Sequence, residues 1–487
     1  MELKNVLSTI DTNTEKYINM VDLTVRKKNS QYFTPFSIGS YMSDKINLDK
    51  NMKVVRVLEP SGGTGRLAAA FLLGLDFSSV DKVYIDIFEL DKNLIDILET
   101  NIKLISNYFS EKNVELDYSI YCENFLEYDN SNKYDVIIGN PPYKKIRKNS
   151  SEAIANSELL HGQPNLYGLF IGKGVRMLND EGQLIYLVPR SFFNGKYFSR
   201  VRELILNDYS LSFIHSFESR TKVINNEILQ ELVIVKIEKK MIGEVIIKHS
   251  LGIEDIDMSS EFVVEKDIIW DVENIKIRLP IKNNHIDIIR KMNSFRFNLS
   301  DYNLRFKTGP LVDFRMSEYI DIVQSFNKYY PIYWCANFGD TNVKWPLVDT
   351  KYPQYVSNDI PISVLLNKGN YLLVKRFSSK EESKCLKVNK ICFNSYMYDK
   401  FTVENHVNYL KVNDEDIILL LGLFVLYNSK FYSDYFSIIN GTTQINVTDL
   451  NQLPVPNIST IRILGEKANR IDYSNPEECE KLLFSCI

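Results

Sequence analysis

The chain has 487 residues, 45% of them apolar and 25% charged, with a formal net charge of −4. That length exceeds one ordinary hydrophobic core and predicts two domains, while the apolar content excludes a disordered chain. Lys and Arg number 30 against 31 acidic residues through Lys240 and 28 against 31 beyond it, which excludes a uniformly basic nucleic-acid binder and leaves phosphate contact to local clusters.

Residues 1–30 are charged and helical in pattern, ending in Arg26-Lys27-Lys28. Gln31-Tyr32-Phe33-Thr34-Pro35 follows; threonine before proline breaks the helix, and helical spacing resumes over 38–46. A first strand over 54–58 leads into Glu59-Pro60-Ser61-Gly62-Gly63-Thr64-Gly65. Its glycines allow a tight turn and close approach of a ligand before the apolar helix 67–75. A second strand, 83–88, ends at Glu89, the spacing expected of an acid that grips ribose hydroxyls. Leu90 follows, and Asp91 suits the N-cap of the next helix. A third strand near 116–121 reaches Cys122-Glu123-Asn124-Phe125, which by itself reads as a turn Asn and a core Phe.

The run 134–139 is the pattern of a buried parallel strand whose carboxyl end opens into a site, here Asn140-Pro141-Pro142-Tyr143. The two prolines fix the backbone and remove two N–H donors, leaving carbonyl acceptors toward the cleft. A rigid amide acceptor, a backbone acceptor and an aromatic face suit a planar ring bearing an exocyclic amine. Lys144, Lys145, Arg147 and Lys148 place four positive charges beside that cleft, as a solvated face or as a contact for a polyanion. Residues 149–163 are polar and predict a mobile loop ordered by substrate. An amphipathic helix over 165–178 and a strand over 183–188 come next, then Ser191 to Phe198 and a helix over 199–206. Strands at 212–217 and 228–237 close this half, so that 1–240 reads as one domain and the weakly patterned 241–275 as a connecting segment. All three tryptophans lie beyond, and 276–487 reads as a second α/β domain of irregular architecture. Its apolar run 417–427 is too short to cross a bilayer, and the N-terminus lacks a signal-peptide pattern, so no membrane is expected. Six scattered cysteines without a C-x-x-C pair, and five dispersed histidines, predict a reduced cytoplasmic protein without a metal.

Asn140 to Tyr143 behind a buried strand, together with three more polar turns at successive strand ends, resembles the S-adenosylmethionine-dependent DNA methyltransferases that act on amino groups. The order of the motifs resembles the γ class of Eco57I/TaqI-like N6-adenine type II modification methylases. The resemblance implies a Rossmann-like catalytic domain, a mostly parallel twisted sheet with a terminal antiparallel hairpin, plus a C-terminal target-recognition domain. It implies that Gln31, Tyr32, Phe33, Thr34 and Pro35 close over the methionine end of the cofactor. Glu59, Pro60, Ser61, Gly62, Gly63 and Gly65 would line it, with Glu89 and Leu90 at the ribose and Asn124 and Phe125 at the adenine. Asn140 and Pro142 would touch the cofactor as well. Asn140, Pro141, Pro142 and Tyr143 would hold the target base, with Phe198 beneath it, or Tyr197 in its place. The alternative for Phe198 is the first apolar residue of the following helix. Lys144, Lys145, Arg147 and Lys148 are candidates for DNA contact. In the second half the resemblance rests on Lys307-Thr308-Gly309, residues 372–377, Glu404-Asn405-His406 and residues 440–446, where Lys375 and Arg376 are candidates for phosphate or base-edge contact, or else two charges on a surface strand.

The implied reaction is direct methyl transfer to N6 of an adenine swung out of duplex DNA, leaving S-adenosylhomocysteine. A separately encoded restriction endonuclease is the implied partner. Two other readings stay open: a methyltransferase of protein glutamine or RNA, which also uses Asn-Pro-Pro-Tyr, and a DNA-binding relic without turnover. About thirty residues before Gln31 are too few for a nuclease domain, so no cleavage is expected.

Overall fold

The computed structural model describes residues 2–74, 79–129, 131–219, 222–224, 230–321, 328–378, 384–392, 398–441 and 443–487. Residues 75, 228, 229 and 442, which end an expected helix, begin an expected strand and sit within the expected 440–446 segment, lie outside the described residues. The chain folds as two units, Met1–Ile281 and Lys282–Ile487.

Unit 1 is built on a nine-stranded sheet among the described residues. Its strands are β1 (Val54–Glu59), β2 (Lys82–Phe88), β3 (Glu115–Tyr121), β4 (Tyr134–Gly139), β5 (Leu178–Pro189), β6 (Ser210–Phe217), β7 (Leu232–Glu238), β8 (Glu244–Ser250) and β9 (Ser260–Glu265). The order is β3-β2-β1-β4-β5-β7-β6-β8-β9. β3, β2, β1, β4 and β5 run parallel, while β7 is antiparallel to both β5 and β6. The apolar, β-branched runs earn their central places: Val57 and Leu58 pair with Val136 and Ile137, and all four are fully buried. Helices α1 (Leu3–Met20), α2 (Leu23–Asn29), α3 (Phe36–Ser43), α4 (Arg66–Gly74) and α5 (Lys92–Ser110) precede β3 in the chain. Val6, Ile10, Thr14 and Tyr17 form the buried face of α1, and the Asp91 side chain caps α5 by accepting from the Asn93 N–H. After β4 come α6 (Ser151–Ala155), α7 (Leu166–Arg176) and α8 (Ser199–Asp208).

Two expectations change. β6 and β7 pair as the expected hairpin, but the sheet does not end there. β8 adds parallel to β6, and β9 adds antiparallel to β8. Residues 244–250 and 260–265 of the expected connector are therefore strands of the sheet, and unit 1 runs to Ile281 rather than 240. Val245 and Ile247 bury one face while Glu244 stays exposed, a two-residue period masked by the exposed apolar Ile246 between them. The loop expected to be mobile, 149–163, is folded. Ser150 caps α6, and the stem closes through Ile146 N–H to Pro164 O (3.0 Å) and Leu166 N–H to Lys144 O (2.9 Å). Buried Ala153 and Leu159 anchor it.

Unit 2 contains an antiparallel four-stranded sheet ordered Phe306–Thr308, Val407–Val412, Asn370–Lys375 and Val388–Ile391. A mixed five-stranded sheet includes Tyr329–Tyr333 and Lys400–Val403. The apolar run becomes the core helix Ile417–Asn428, packed on Ile458–Lys467 where Gly422 and Gly465 leave no room for a side chain. No single helix among the described residues is long and apolar enough to cross a membrane.

Candidate active site

The carboxyl ends of β1 to β4 open into a cavity of about 490 Å³, within the range of roughly 300–1,000 Å³ typical of small-molecule sites. Residues 31–34, 59–63, 89–90, 124–125, Asn140, Pro142 and Lys144 line it. Pro35 and Gly65 are not among the lining residues. Pro35 precedes α3 as its cap, and Gly65, at φ +77°, packs its turn against Leu98.

The glycine turn is held where the sequence places it. Gly62 N–H donates to Phe88 O (2.8 Å), and a Cβ on Gly62 would collide with Ile87. Gly63 takes φ +56°, which favours glycine. Glu89 fastens this turn to its own. One oxygen accepts from Gly63 N–H and the other from Asp91 N–H, both at 2.7 Å. Burial raises the Glu89 pKa and the backbone donors oppose that rise. Gln31 Nε2 donates to Asp91 Oδ2 (2.7 Å), tying the 31–35 segment to the same turn.

Glu59 stands apart. It is fully buried, and neither carboxylate oxygen has a hydrogen-bond partner among the described residues. Burial, then the neighbouring Glu89 charge, raises its pKa well above the ordinary value, against a smaller opposing pull from the nearby Ala68 N–H, which falls short of a well-formed hydrogen bond. A buried orphan acceptor on a cavity wall fits a ligand that brings a cation or donors of its own. Beyond it, Phe88 and Phe125 meet edge to face at 5.5 Å, giving the far end an aromatic wall. Asn124 is partly committed to its own turn, accepting from Leu126 N–H (3.2 Å) and donating to Glu127 (2.7 Å). Its oxygen keeps a second lone pair. Glycine turn, ribose-spaced acid, orphan carboxylate and aromatic wall together match the parts of S-adenosylmethionine.

Asn140 is gripped on both sides. Its Nδ2 donates to Tyr32 O (3.2 Å) and Thr34 Oγ1 (3.1 Å), and its Oδ1 lies 2.5 Å from the Tyr143 hydroxyl. That hydroxyl is also 3.0 Å from Leu187 O. The Tyr143 ring lies parallel to Tyr32 at 6.2 Å and edge-on to Tyr167 at 6.0 Å, and burial raises its hydroxyl pKa. Ser61 Oγ donates to the Asn140 backbone carbonyl (3.3 Å), joining the glycine turn to this one.

Phe198 does not line the cavity. Only 5% exposed, it packs on Tyr167 at 4.7 Å, and a Cβ on Gly168 or Gly195 would crowd its ring. Tyr197 is 43% exposed and rests on Gly162. Arg202 fixes this segment by donating to the carbonyls of Phe192 and Gly195, each at 2.8 Å. Lys144, Lys145, Arg147 and Lys148 are all exposed, Lys144 at the cavity itself. Lys375 and Arg376 belong to unit 2. Lys375 Nζ sits over the Phe338 ring at 5.6 Å, and Arg376 Nη1 donates to Asn405 O (3.1 Å).

The sequence did not single out α1 as a support of the site. Thr14 and Thr64 hydroxyls meet at 2.8 Å, Asn13 bonds Asn101 (2.8 Å), and Asn101 bonds Thr64 O (2.8 Å). No group of three or more His, Cys, Asp or Glu among the described residues is placed to hold a metal ion.

A family profile described as Eco57I restriction-modification methylase matches residues 61–223. The type II methyltransferase M.BsuBI of Bacillus subtilis is 30% identical over 90% of this chain and 89% of its own length. M.PstI of Providencia stuartii is 28% identical over 96% and 94%. The fold also matches the Type IIL restriction-modification enzyme MmeI, solved in complex with DNA, at a TM-score of 0.55 and 12% identity, over 98% of this chain and 74% of that one. The chain therefore belongs to the type II DNA methyltransferases of restriction-modification systems, enzymes that use S-adenosylmethionine.

Proposed function

We propose that this enzyme methylates N6 of an adenine swung out of duplex DNA, and that it marks sites without cutting them. The carrying observation is the fixed Asn140 amide, whose NH2 is spent on Tyr32 and Thr34 and whose oxygen faces Tyr143. The exocyclic amine of adenine is a weak nucleophile because its lone pair is delocalised into the ring. Asn140 Oδ1 and the Pro141 carbonyl each accept one of its N–H bonds and localise density on nitrogen. S-adenosylmethionine supplies the electrophilic methyl group. Glu59 takes the positively charged methionine end, Glu89 the ribose hydroxyls and Phe125 the adenine face, while Gln31 to Thr34 cover the remaining side. Tyr143 offers a stacking surface for the swung-out base, worth about 1–3 kcal/mol. Phe198 supports that surface through Tyr167. The exposed cations from Lys144 to Lys148 hold the DNA backbone near the opening. A separately encoded endonuclease of the same specificity completes the system.

The test is to incubate the full chain with plasmid DNA and isotopically labelled cofactor, then digest to nucleosides. N6-methyl-2′-deoxyadenosine is the expected product. Label in N4-methylcytosine, in RNA or in protein would overturn the assignment, and plasmid cleavage with magnesium would overturn the claim of marking alone. Asn140→Ala should keep cofactor affinity and lose turnover by on the order of 10²–10³-fold, as removal of a polarising group does elsewhere.

A further inference from the structure

Four separated pieces of unit 2 meet around one turn. Glu404-Asn405-His406 joins strand Lys400–Val403 to strand Val407–Val412. Glu404 N–H donates to Tyr333 O (3.0 Å), Asn405 N–H to Leu311 O (2.9 Å), and Arg376 N–H to His406 O (2.8 Å). Arg376 Nη1 adds its bond to Asn405 O, and Ile445 N–H donates to Arg376 O (2.7 Å). The turn is therefore rigid.

Within it, Glu404 is 1% exposed yet its carboxylate faces a surface side chain. One oxygen accepts from His406 N–H (2.9 Å), and the other lies 2.5 Å from His406 Nδ1. The His406 side chain is 54% exposed. Burying a carboxylate is at best neutral for stability once its desolvation is counted. What the arrangement secures is orientation: Nδ1–H is committed to Glu404, so the tautomer is fixed and Nε2 remains as the outer polar atom. The Phe377 ring, 43% exposed, stands 5.3 Å from the imidazole. Leu311, bridged to Glu404, leads into Asp313-Phe314-Arg315, where Phe314 is 73% exposed.

We infer that His406 is a specificity-determining residue that reads a base edge of the recognition sequence, and that Glu404 is the residue that positions it. The inference rests on duplex DNA being the substrate. A phosphate needs only a charge, for which an untethered Lys or Arg suffices. A fixed tautomer matters only for a directional bond, and base edges, not phosphates, differ in the direction of their donors and acceptors. With Nδ1 turned inward to Glu404, His406 presents Nε2 as its single outer polar atom, aimed for one directional bond to a base edge in the major groove. Phe377 and Phe314 supply exposed apolar faces on adjoining turns.

The test uses the full chain and a plasmid library of random sequence, with methylated positions read by sequencing. Wild type defines the site and the modified base. His406→Ala is expected to keep cofactor affinity and to accept other bases at one position of the site. Its kcat/KM on the original site should fall on the order of ten- to a hundredfold, the effect of losing one base-edge contact. Glu404→Ala should relax the same position, and Glu404→Gln, which still offers an acceptor to Nδ1–H, should relax it less. An unchanged site in His406→Ala overturns the inference. So does a loss that is equal across all sequences with a shallower salt dependence, the pattern of a phosphate contact. The modified base comes from the same reads, so a cytosine product would overturn the adenine assignment while leaving this one standing.

Discussion

Glu59 allows folding and cofactor binding to be separated in one substitution. Its carboxyl is fully buried, unpartnered, and raised in pKa by burial first and by Glu89 second. A group with a raised folded pKa contributes its full stability below the unfolded value, near 4.5. Above that pH the unfolded chain ionises first, and the cofactor-free fold loses stability until the folded pKa is passed. Glu59→Gln cannot ionise. Without cofactor, the two proteins should melt together near pH 5, and the variant should be the more stable at pH 8. Both side chains are buried polar groups, so the gain comes only from the ionisation that Glu59→Gln removes, about 1.4 kcal/mol for each tenfold in the ionisation constant; a gain of about 2 kcal/mol corresponds to roughly 4–8 °C in Tm for a unit of this size. With S-adenosylmethionine the ranking should reverse, because the variant has lost the anion facing the methionine ammonium. Its Kd should weaken by about ten- to a hundredfold, the loss of one charge-assisted hydrogen bond. Scanning fluorimetry at both pH values, with and without cofactor, reads the first effect and calorimetry the second. A variant less stable than wild type at pH 8 without cofactor, or one with unchanged Kd, would refute the reasoning.

Glu89→Gln keeps one acceptor for the Gly63 and Asp91 N–H groups instead of two. It should weaken cofactor binding by on the order of tenfold or more and leave DNA affinity unchanged; the reverse pattern in a binding assay would reject the ribose role. Tyr143→Phe keeps the ring but leaves Asn140 Oδ1 and Leu187 O without that hydroxyl. Urea melts should show a loss of about 1–2 kcal/mol, and kcat should fall about tenfold with little change in KM for DNA; wild-type kcat would show that the hydroxyl does not orient the amide. Phe198→Ala opens a cavity beneath Tyr167 and should cost about 3–5 kcal/mol in the same melts. Duplexes with a mispaired target base should recover part of its lost activity, whereas equal losses on both substrates would leave Phe198 with packing alone.

The cofactor side of the site was legible because its signals are local. β1, β2 and β4 each announce themselves by an apolar run, and each ends on residues whose chemistry is visible without the fold: glycines at a turn, an acid at ribose spacing, a proline pair after an asparagine. What stayed hidden depends on distant partners. The period-two burial of Val245 and Ile247 is hidden by the exposed Ile246 between them, so 241–275 read as a connector. The anchoring of 149–163 through Leu159 and the stem needs α7 to exist first, and polarity alone suggested mobility. Thr14 and Asn13 look like ordinary surface residues of a charged helix until Thr64 and Asn101 come up against them. Arg376 is a DNA candidate in the sequence, and the fold adds what the sequence does not show, a bond from its Nη1 to Asn405 O that ties it to the 404–406 turn.

The hydrogen bonds around Asn140 fix which way its amide points. An amide has a donor end and an acceptor end, and turned the wrong way it would face an amine substrate with donor against donor. Which end is which follows here from two acceptors at Nδ2 and one hydroxyl at Oδ1. Both acceptors, Tyr32 O and Thr34 Oγ1, belong to the segment that also lines the cofactor cavity. The Asn140 backbone carbonyl is tied to Ser61 in the glycine turn. Each contact is worth only about 1 kcal/mol, but those to Tyr32, Thr34 and Ser61 draw on residues that line the cofactor cavity. In the proposed reaction the segments that hold the amide are therefore the same ones that hold the methyl donor, so the base pocket and the cofactor pocket share one set of supports.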